Sequence, residues 1–542
     1  MNDLMRTALL TAALLASGAG AAGPRCVAII GTNDFHGHVD AESRVSGRRT
    51  VHQGGLDTFA GYLSILRARY PRTVLVDAGD LFQGTLVSNE SKGAAVIAAY
   101  NALGYNAAAL GNHEFDFGPD APAAAMQGSL KERLLEADFP FLAANIYERA
   151  THKRVQWKNL LPSTLIELDG VRVGIIGAVT PDTPTVTLPA HVKNLEFHDP
   201  AADIIVEARE LRRRHADLVV LVSHIGGACS DRSNPEDTSS CDPGSELFKL
   251  LERLPPGTID VAVGGHTHQY VAHHLGSTAV IESGAYGRSF GWLVACLSET
   301  GRITTNIEPP QDLCAQVWNE TGCGGGAKFD PKPATFLGQL AEAHQGAVEL
   351  ALEPFRAKVR DIEQADTGVT LARPLERQRD RPFELGRLVA SSMLKATPGA
   401  DLAVTNSGGI RSGLPGGAIP YGRLFEVLPF DNRLVTLELT GKQIAEFVAA
   451  PLRAGHGFPQ LAGGSFTYED GVATVQLAGG RALDGSRKYL VVTNDFLAAG
   501  GDGTGPVTST LAPTARHQTS TSLRDTFLSY LKSLPQPVTA QE

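Results

Sequence analysis

Five short apolar runs punctuate the first half of the chain: Val27 to Ile30, Thr73 to Val76, Ala107 to Leu110, Leu218 to Val222 and Val261 to Val263. Each is small or β-branched and ends at or near Gly or Ser, the signature of a strand buried on both faces. Between them the pattern changes period. Leu56 to Arg69 and Pro200 to Arg214 space their apolar residues helically, so strands alternate with helices from about Arg25 to Glu308 and predict a layered α/β domain.

Residues 309–333 are rich in Gly, Pro and Asn and read as irregular. Phe336, Leu337, Leu340, Val348 and Leu352 then recur at roughly helical spacing until Pro354, which predicts a connector helix over 333–357. Beyond it, helices at Glu384 to Lys395 and Lys442 to Leu452 mix with strands at Leu402 to Thr405, Leu434 to Leu439 and Leu490 to Val492, an α+β pattern. The expected organisation is a leader over 1–22, an α/β domain over 25–332, the connector, a second domain over 358–534 and a polar tail over 535–542.

Composition narrows the function classes. Hydrophobic residues make up 43% of the 542, which suits a folded globular chain. The net charge of −10, without a dense Lys/Arg cluster, argues against polymeric nucleic acid as a partner. Arg6, the apolar stretch Thr7 to Ala16 and Ala19-Gly20-Ala21 have the form of a secretory signal peptide. That stretch falls short of the ~20 residues a bilayer span needs, so the expectation is a periplasmic or secreted protein without a membrane span. Six cysteines in an exported chain can pair in fifteen ways. Cys229 and Cys241 bracket one polar loop and Cys314 and Cys323 another, which leaves Cys26 and Cys296.

The chemistry lies just past the apolar runs. Asp34-Phe35-His36, Gly79-Asp80, Gly111-Asn112-His113-Glu114, Ser223-His224 and Gly264-Gly265-His266-Thr267-His268 each put metal-ligating side chains at a predicted strand end with Gly nearby. In open α/β sheets ligands gather at the carboxyl tips of strands. In this order the motifs resemble those of the calcineurin-like metallophosphoesterases, and specifically the 5′-nucleotidase family of periplasmic nucleotidases/UDP-sugar hydrolases and ecto-5′-nucleotidases. The resemblance covers both domains and implies an N-terminal layered α/β/β/α domain, a connector helix and a C-terminal α+β nucleotide-binding domain. It implies that Asp34, His36, Asp80 and His268 hold one divalent cation, that Asp80, Asn112, His224 and His266 hold a second, and that a hydroxide bridging the two attacks the phosphate. Two dications opposed by two carboxylates and one hydroxide keep a net positive charge, which neutral Asn112 and neutral imidazoles preserve. Zn, Mn, Co and Fe all suit such ligands. His268 stands where some bacterial relatives carry Gln. His113, next to a ligand, takes the family's catalytic position, and Asp116 would hold its ring and keep it protonated. Asn33 and Asn145 fit a phosphate contact and a structural turn equally, while the remaining histidines, His191 and His456 among them, read as surface or core residues.

In the second domain, Arg379-Asp380-Arg381, Asn406-Ser407-Gly408-Gly409-Ile410-Arg411, Leu428-Pro429-Phe430-Asp431 and the segment from Asp495 to Gly503 resemble the family's substrate loops. The resemblance implies that Phe430 and Phe496 sandwich a nucleobase and that Arg379, Asn406, Arg411 and Asp502 bind the polar groups of a nucleotide. Base stacking contributes roughly 1–3 kcal/mol and tolerates different bases. A closing rotation of the domains would bring phosphate to the metals. The implied activity is removal of a 5′-phosphate, with cleavage of UDP-sugars or nucleoside di- and triphosphates compatible. A 2′,3′-cyclic-nucleotide phosphodiesterase/3′-nucleotidase is the nearest rival, but that branch tends to carry Asn at the Asp116 position and Tyr at the stacking positions. A non-catalytic nucleotide-binding protein is the alternative of another class.

Overall fold

The computed structural model describes residues 25–46, 49–119, 125–314, 316–317, 323, 332–341 and 346–539; the expected leader lies outside them. The five apolar runs are strands, and their alternation decides where each side chain goes. Val27 and Ile29 of the strand Arg25–Thr32 face one core while Ile30 faces another. Val220 and Val222 of Leu218–His224 face the first core, and Val219 and Leu221 turn away.

That shared core lies between two sheets. The first runs, in order, Ile303–Asp312, Ser289–Leu297, Arg25–Thr32, Thr73–Asp77, Ala107–Ala109, Phe141–Leu142 and Leu160–Leu161. The second runs Ser163–Leu168, Val171–Val179, Leu218–His224, Val261–Val263, Thr278–Ser283 and Tyr270–Leu275. Val74, Val76, Val173, Ile175, Val261 and Val263 meet between them. Helices Leu56–Arg69 and Ala94–Leu103 cover the outside of the first sheet, and Ala201–Arg213 and Glu246–Arg253 cover the second. The result is the α/β/β/α stack.

The second domain folds round a sheet ordered Pro459–Ala462, Leu402–Asn406, Lys488–Asn494, Arg433–Thr440 and Arg516–Ser522. One face buries Val389, Met393 and Phe527, the other Ile444, Phe447 and Val448. It is the expected α+β unit.

The connector departs from its expected limits. The helix is Ala347–Glu363, while Thr335–Phe336 pairs with Gln339–Leu340 in a hairpin. Phe336 is buried against Tyr62 and Phe290 of the first domain, so its hydrophobicity serves that core and not a helix face. Pro354 lies inside the helix rather than ending it. The carbonyl it strands belongs to Leu350, which is 78% exposed, so water can serve the lost bond.

All six cysteines pair, as Cys26–Cys296, Cys229–Cys241 and Cys314–Cys323. Cys26 and Cys296 are register partners on adjacent strands. Among the described residues no helix is long and apolar enough to cross a membrane. Replacing Cys26 and Cys296 together by Ser, which opens a link across a sequence separation of 270, is expected to lower the unfolding free energy by about 2–5 kcal/mol in denaturant titration.

Candidate metal and substrate site

Three adjacent strands of the first sheet and two of the second run parallel and end at the same edge of the stack. Asp34 and His36 follow Arg25–Thr32, Asp80 follows Thr73–Asp77, Asn112 follows Ala107–Ala109, His224 ends Leu218–His224, and His266 and His268 follow Val261–Val263. Five of the seven are forced into left-handed backbone, with φ of 50° at Asp34, 51° at His36, 61° at Asp80, 81° at His266 and 58° at His268. Such conformations cost energy in non-glycine residues and concentrate at functional sites. A Cβ on Gly111 would stand 2.2 Å from the Asp80 carboxylate, so only glycine lets these two loops meet.

A residue with no assigned role in the sequence locks the loops together. Glu114, buried, accepts from the backbone N–H of Asp80 at 2.8 Å and of Gly111 at 2.7 Å through one oxygen, and from Leu81 at 2.7 Å through the other. Burial and then the nearby Asp80 charge push its pKa up to about 8. Glu282 does the same below the histidine loop, accepting from Gly227 N–H and the Thr267 hydroxyl.

The side chains form two groups, Asp34 with His36 and His268, and Asp80 with His224 and His266, each with its ligand atoms within 4.8 Å of one another. Asp80 Oδ2 lies 3.1 Å from His224 Nε2 and 3.7 Å from His36 Nε2, between the groups. The orienting bonds reveal what the site wants. His36 Nδ1 donates to the Gln83 carbonyl and His224 Nδ1 to the Ala78 carbonyl, both at 2.9 Å, which turns each Nε2 inward. Asn112 spends its N–H on the Val186 carbonyl and aims Oδ1 at His224 Nε2, 3.0 Å away. His36 Nε2 and His268 Nε2 are 3.1 Å apart. Groups crowded at such distances suit a cation among them, taking the place of the His224 proton and the Arg411 N–H, and imidazole, carboxylate and amide oxygen are a suitable donor set.

Burial disfavours the imidazolium and pushes His266 down to about 3 and His268 to about 4, so both are neutral ligands near pH 7. At His224 burial is outweighed by the Asp80 carboxylate, and its pKa rises to about 10. At His113 burial is outweighed by Asp116 and then Asp80, and the pKa is raised. His113 Nδ1 donates to Asp116 Oδ2 at 2.5 Å, and the Thr187 hydroxyl fixes the other Asp116 oxygen at 2.7 Å.

A cavity of about 950 Å³ opens on these groups and is closed on its far side by the second domain. Arg379, Asn406, Arg411, Phe430, Phe496 and Asp502 all line it, together with Asp80, Asn112, His113, Asp116, His266 and His268. Arg411 reaches across and donates to His36 Nε2 at 2.8 Å. Asn406 Nδ2 donates to Asp502 Oδ2 at 2.9 Å. The Phe430 ring packs on His113 with centroids 5.5 Å apart. Gly501 packs against the Phe496 ring, and the two phenyl rings share the cavity wall without pairing with each other.

Asn33 and Asn145 belong to the framework instead. Asn33 braces Asp34 and Ser283, and Asn145 bridges Val179 and His198. His191 and His456 do line the cavity, and His456 Nδ1 lies 3.6 Å from Asp502 Oδ1; neither follows a strand, so the strand-end criterion passed over them. Arg377 is not among the lining residues and donates instead to the Ile410 carbonyl beside Arg411. It is pushed down to about 10 by burial and then by the like charges of Arg411 and Arg379.

Two family models match this chain: calcineurin-like phosphoesterase over residues 27–270 and 5′-nucleotidase, C-terminal domain, over residues 361–510, together well over half its length. Protein UshA of Escherichia coli is 27% identical, across 88% of this chain and 86% of its own. The 5′-nucleotidase of Vibrio cholerae is 26% identical, across 93% and 92%. The chain spans only 32% of the trifunctional nucleotide phosphoesterase protein YfkN of Bacillus subtilis, at 27% identity. Among solved structures, a 5′-nucleotidase precursor from Thermus thermophilus superposes with a TM-score of 0.77 at 27% identity, covering 95% of this chain and 98% of that one.

Gly111→Ala is expected to displace Asp80 and to cut tightly bound metal, measured by elemental analysis of the purified protein, by at least half while far-UV circular dichroism stays unchanged.

Proposed function

Because the chain belongs to the 5′-nucleotidase family of calcineurin-like metallophosphoesterases, and is a metal-dependent hydrolase of phosphoric esters, we propose that it is an exported 5′-nucleotidase working with two divalent cations. The observation that carries this reading is a single cavity whose one wall is a cluster of inward-facing acceptors and whose other wall holds two phenyl rings and two arginines. Asp34, His36 and His268 would hold one cation and Asn112, His224 and His266 the other, with Asp80 shared. Zn, Mn, Co and Fe suit the donors. Cations bound there supply the positive charge that activates water and steadies the phosphoryl group during in-line displacement.

The chain's own residues do the rest. His113, held protonated by Asp116, stands ready to stabilise charge on the phosphoryl or leaving oxygen. Arg411 donates to His36 Nε2, which places its guanidinium at the edge of the cluster, where it would bind an anionic phosphoryl group. Arg379 adds a second positive charge at the same wall. Phe430 and Phe496 take the base, and Asn406 with Asp502 the polar groups beside it. A cavity of about 950 Å³ is large for a ligand site, which commonly spans about 300–1,000 Å³, so a nucleotide bearing a further phosphate or a sugar fits. The leader over 1–22 and the three disulfides support export to an oxidising compartment.

Phosphate release from AMP is expected to stop with chelator and to return when Mn²⁺, Co²⁺ or Zn²⁺ is added back; activity untouched by exhaustive chelation contradicts the reading. His113→Ala is expected to lose about 10²–10⁴-fold in kcat while keeping its metal. Asp116→Asn removes the carboxylate that raises the His113 pKa, so the alkaline limb of the pH–rate profile should move to lower pH. Phe430→Ala is expected to raise KM for AMP by about tenfold, as the loss of one stacked ring predicts.

A further inference from the structure

Two side-chain amides of the first domain converge on one carbonyl of the second. Gln83 Nε2 donates to the Pro429 carbonyl at 3.1 Å, and Asn89 Nδ2 donates to the same oxygen at 2.9 Å. Gln83 and Pro429 are both buried, so the bond between them is sheltered from water, while Asn89 is half-buried. Proline fixes φ at this point, which narrows the backbone's freedom just before Phe430. The next residue is Phe430, whose ring rests on His113.

Both donors are themselves held. Asn89 accepts the Gly84 N–H at 2.9 Å, which leaves its amide nitrogen for Pro429. The Gln83 backbone carbonyl accepts from His36 Nδ1 at 2.9 Å, so one residue grips a candidate metal ligand with its main chain and the second domain with its side chain.

Resting on the nucleotidase reading above, we propose that Gln83 and Asn89 are positioning residues: they clamp the Pro429 carbonyl when the domains close and thereby seat Phe430 at a fixed height over the metal cluster. The clamp engages that oxygen with two donors, and through the Gln83 main chain it couples the seat of Phe430 to the placement of His36. A nucleotide is then read by Phe430 only where its phosphate can reach the metals.

The test is a cycle of variants assayed with AMP and with p-nitrophenyl phosphate, which has no nucleobase. Gln83→Ala and Asn89→Ala are each expected to raise KM for AMP about fivefold, and the pair about thirtyfold, the worth of one and two neutral hydrogen bonds. The preference for AMP over p-nitrophenyl phosphate should fall with them. In a Phe430→Ala background the same pair should change KM by less than about twofold, because the ring they position is gone. Gln83→Glu keeps the size but removes the amide donor, and should reproduce the Gln83→Ala effect should that variant fold poorly. A paired variant with the parent's KM, or a thirtyfold effect that persists without the Phe430 ring, overturns the clamp alone. Parent protein that cleaves p-nitrophenyl phosphate but no nucleotide overturns the nucleotidase reading and the clamp together.

Discussion

Everything in the metal half of this protein answers one electrostatic demand: nitrogens and oxygens crowded within about a hydrogen-bond length of one another in a buried cluster need positive charge to stay, whether from a proton at His224, from the Arg411 guanidinium or from bound cations. His36 and His224 are turned so that each Nε2 faces inward, and Asn112 points its oxygen rather than its nitrogen at the same spot. Holding acceptors in that posture requires loops that cannot relax. Left-handed backbone at Asp34, His36, Asp80, His266 and His268, a glycine where Asp80 passes Gly111, and the Glu114 side chain gathering four backbone N–H groups all meet that need. The strands beneath are what make the strain bearable, because their tips are anchored in a core shared by both sheets.

The second domain works by different means. It contributes charge and aromatic surface, and its hold on the first domain near the site runs through few bonds: Arg411 to His36 and two amides to Pro429. A half built of strained, tightly braced loops is thus joined to a half that faces it across the cavity. The connector helix Ala347–Glu363 packs against the first domain through Val348 and Leu352.

Much of this was legible in the sequence. The five apolar runs located the strands because residues buried on both faces leave an unbroken signal, and polar residues placed directly after them marked the edge where ligands gather. Side chains on that edge were therefore readable: seven positions expected to meet do lie together. Roles that depend on bonding were not. Asn33 and Glu114 sit beside ligands in the chain, yet only coordinates reveal that they bond to the framework. His456 reaches the cavity from a turn whose composition carries no signal. The connector failed for another reason: Phe336, Leu337 and Leu340 match helical spacing by coincidence, since a hairpin tucks Phe336 into the neighbouring core.

The cross-link between Cys26 and Cys296 sits at the opposite tip of the very strand whose other end delivers Asp34 and His36. One strand therefore carries a rivet at its tail and a tool at its head, with a stretch of dry aliphatic packing as insulation. Durability and chemistry are thereby housed at separate addresses on one length of backbone, so the first can be adjusted without touching the second.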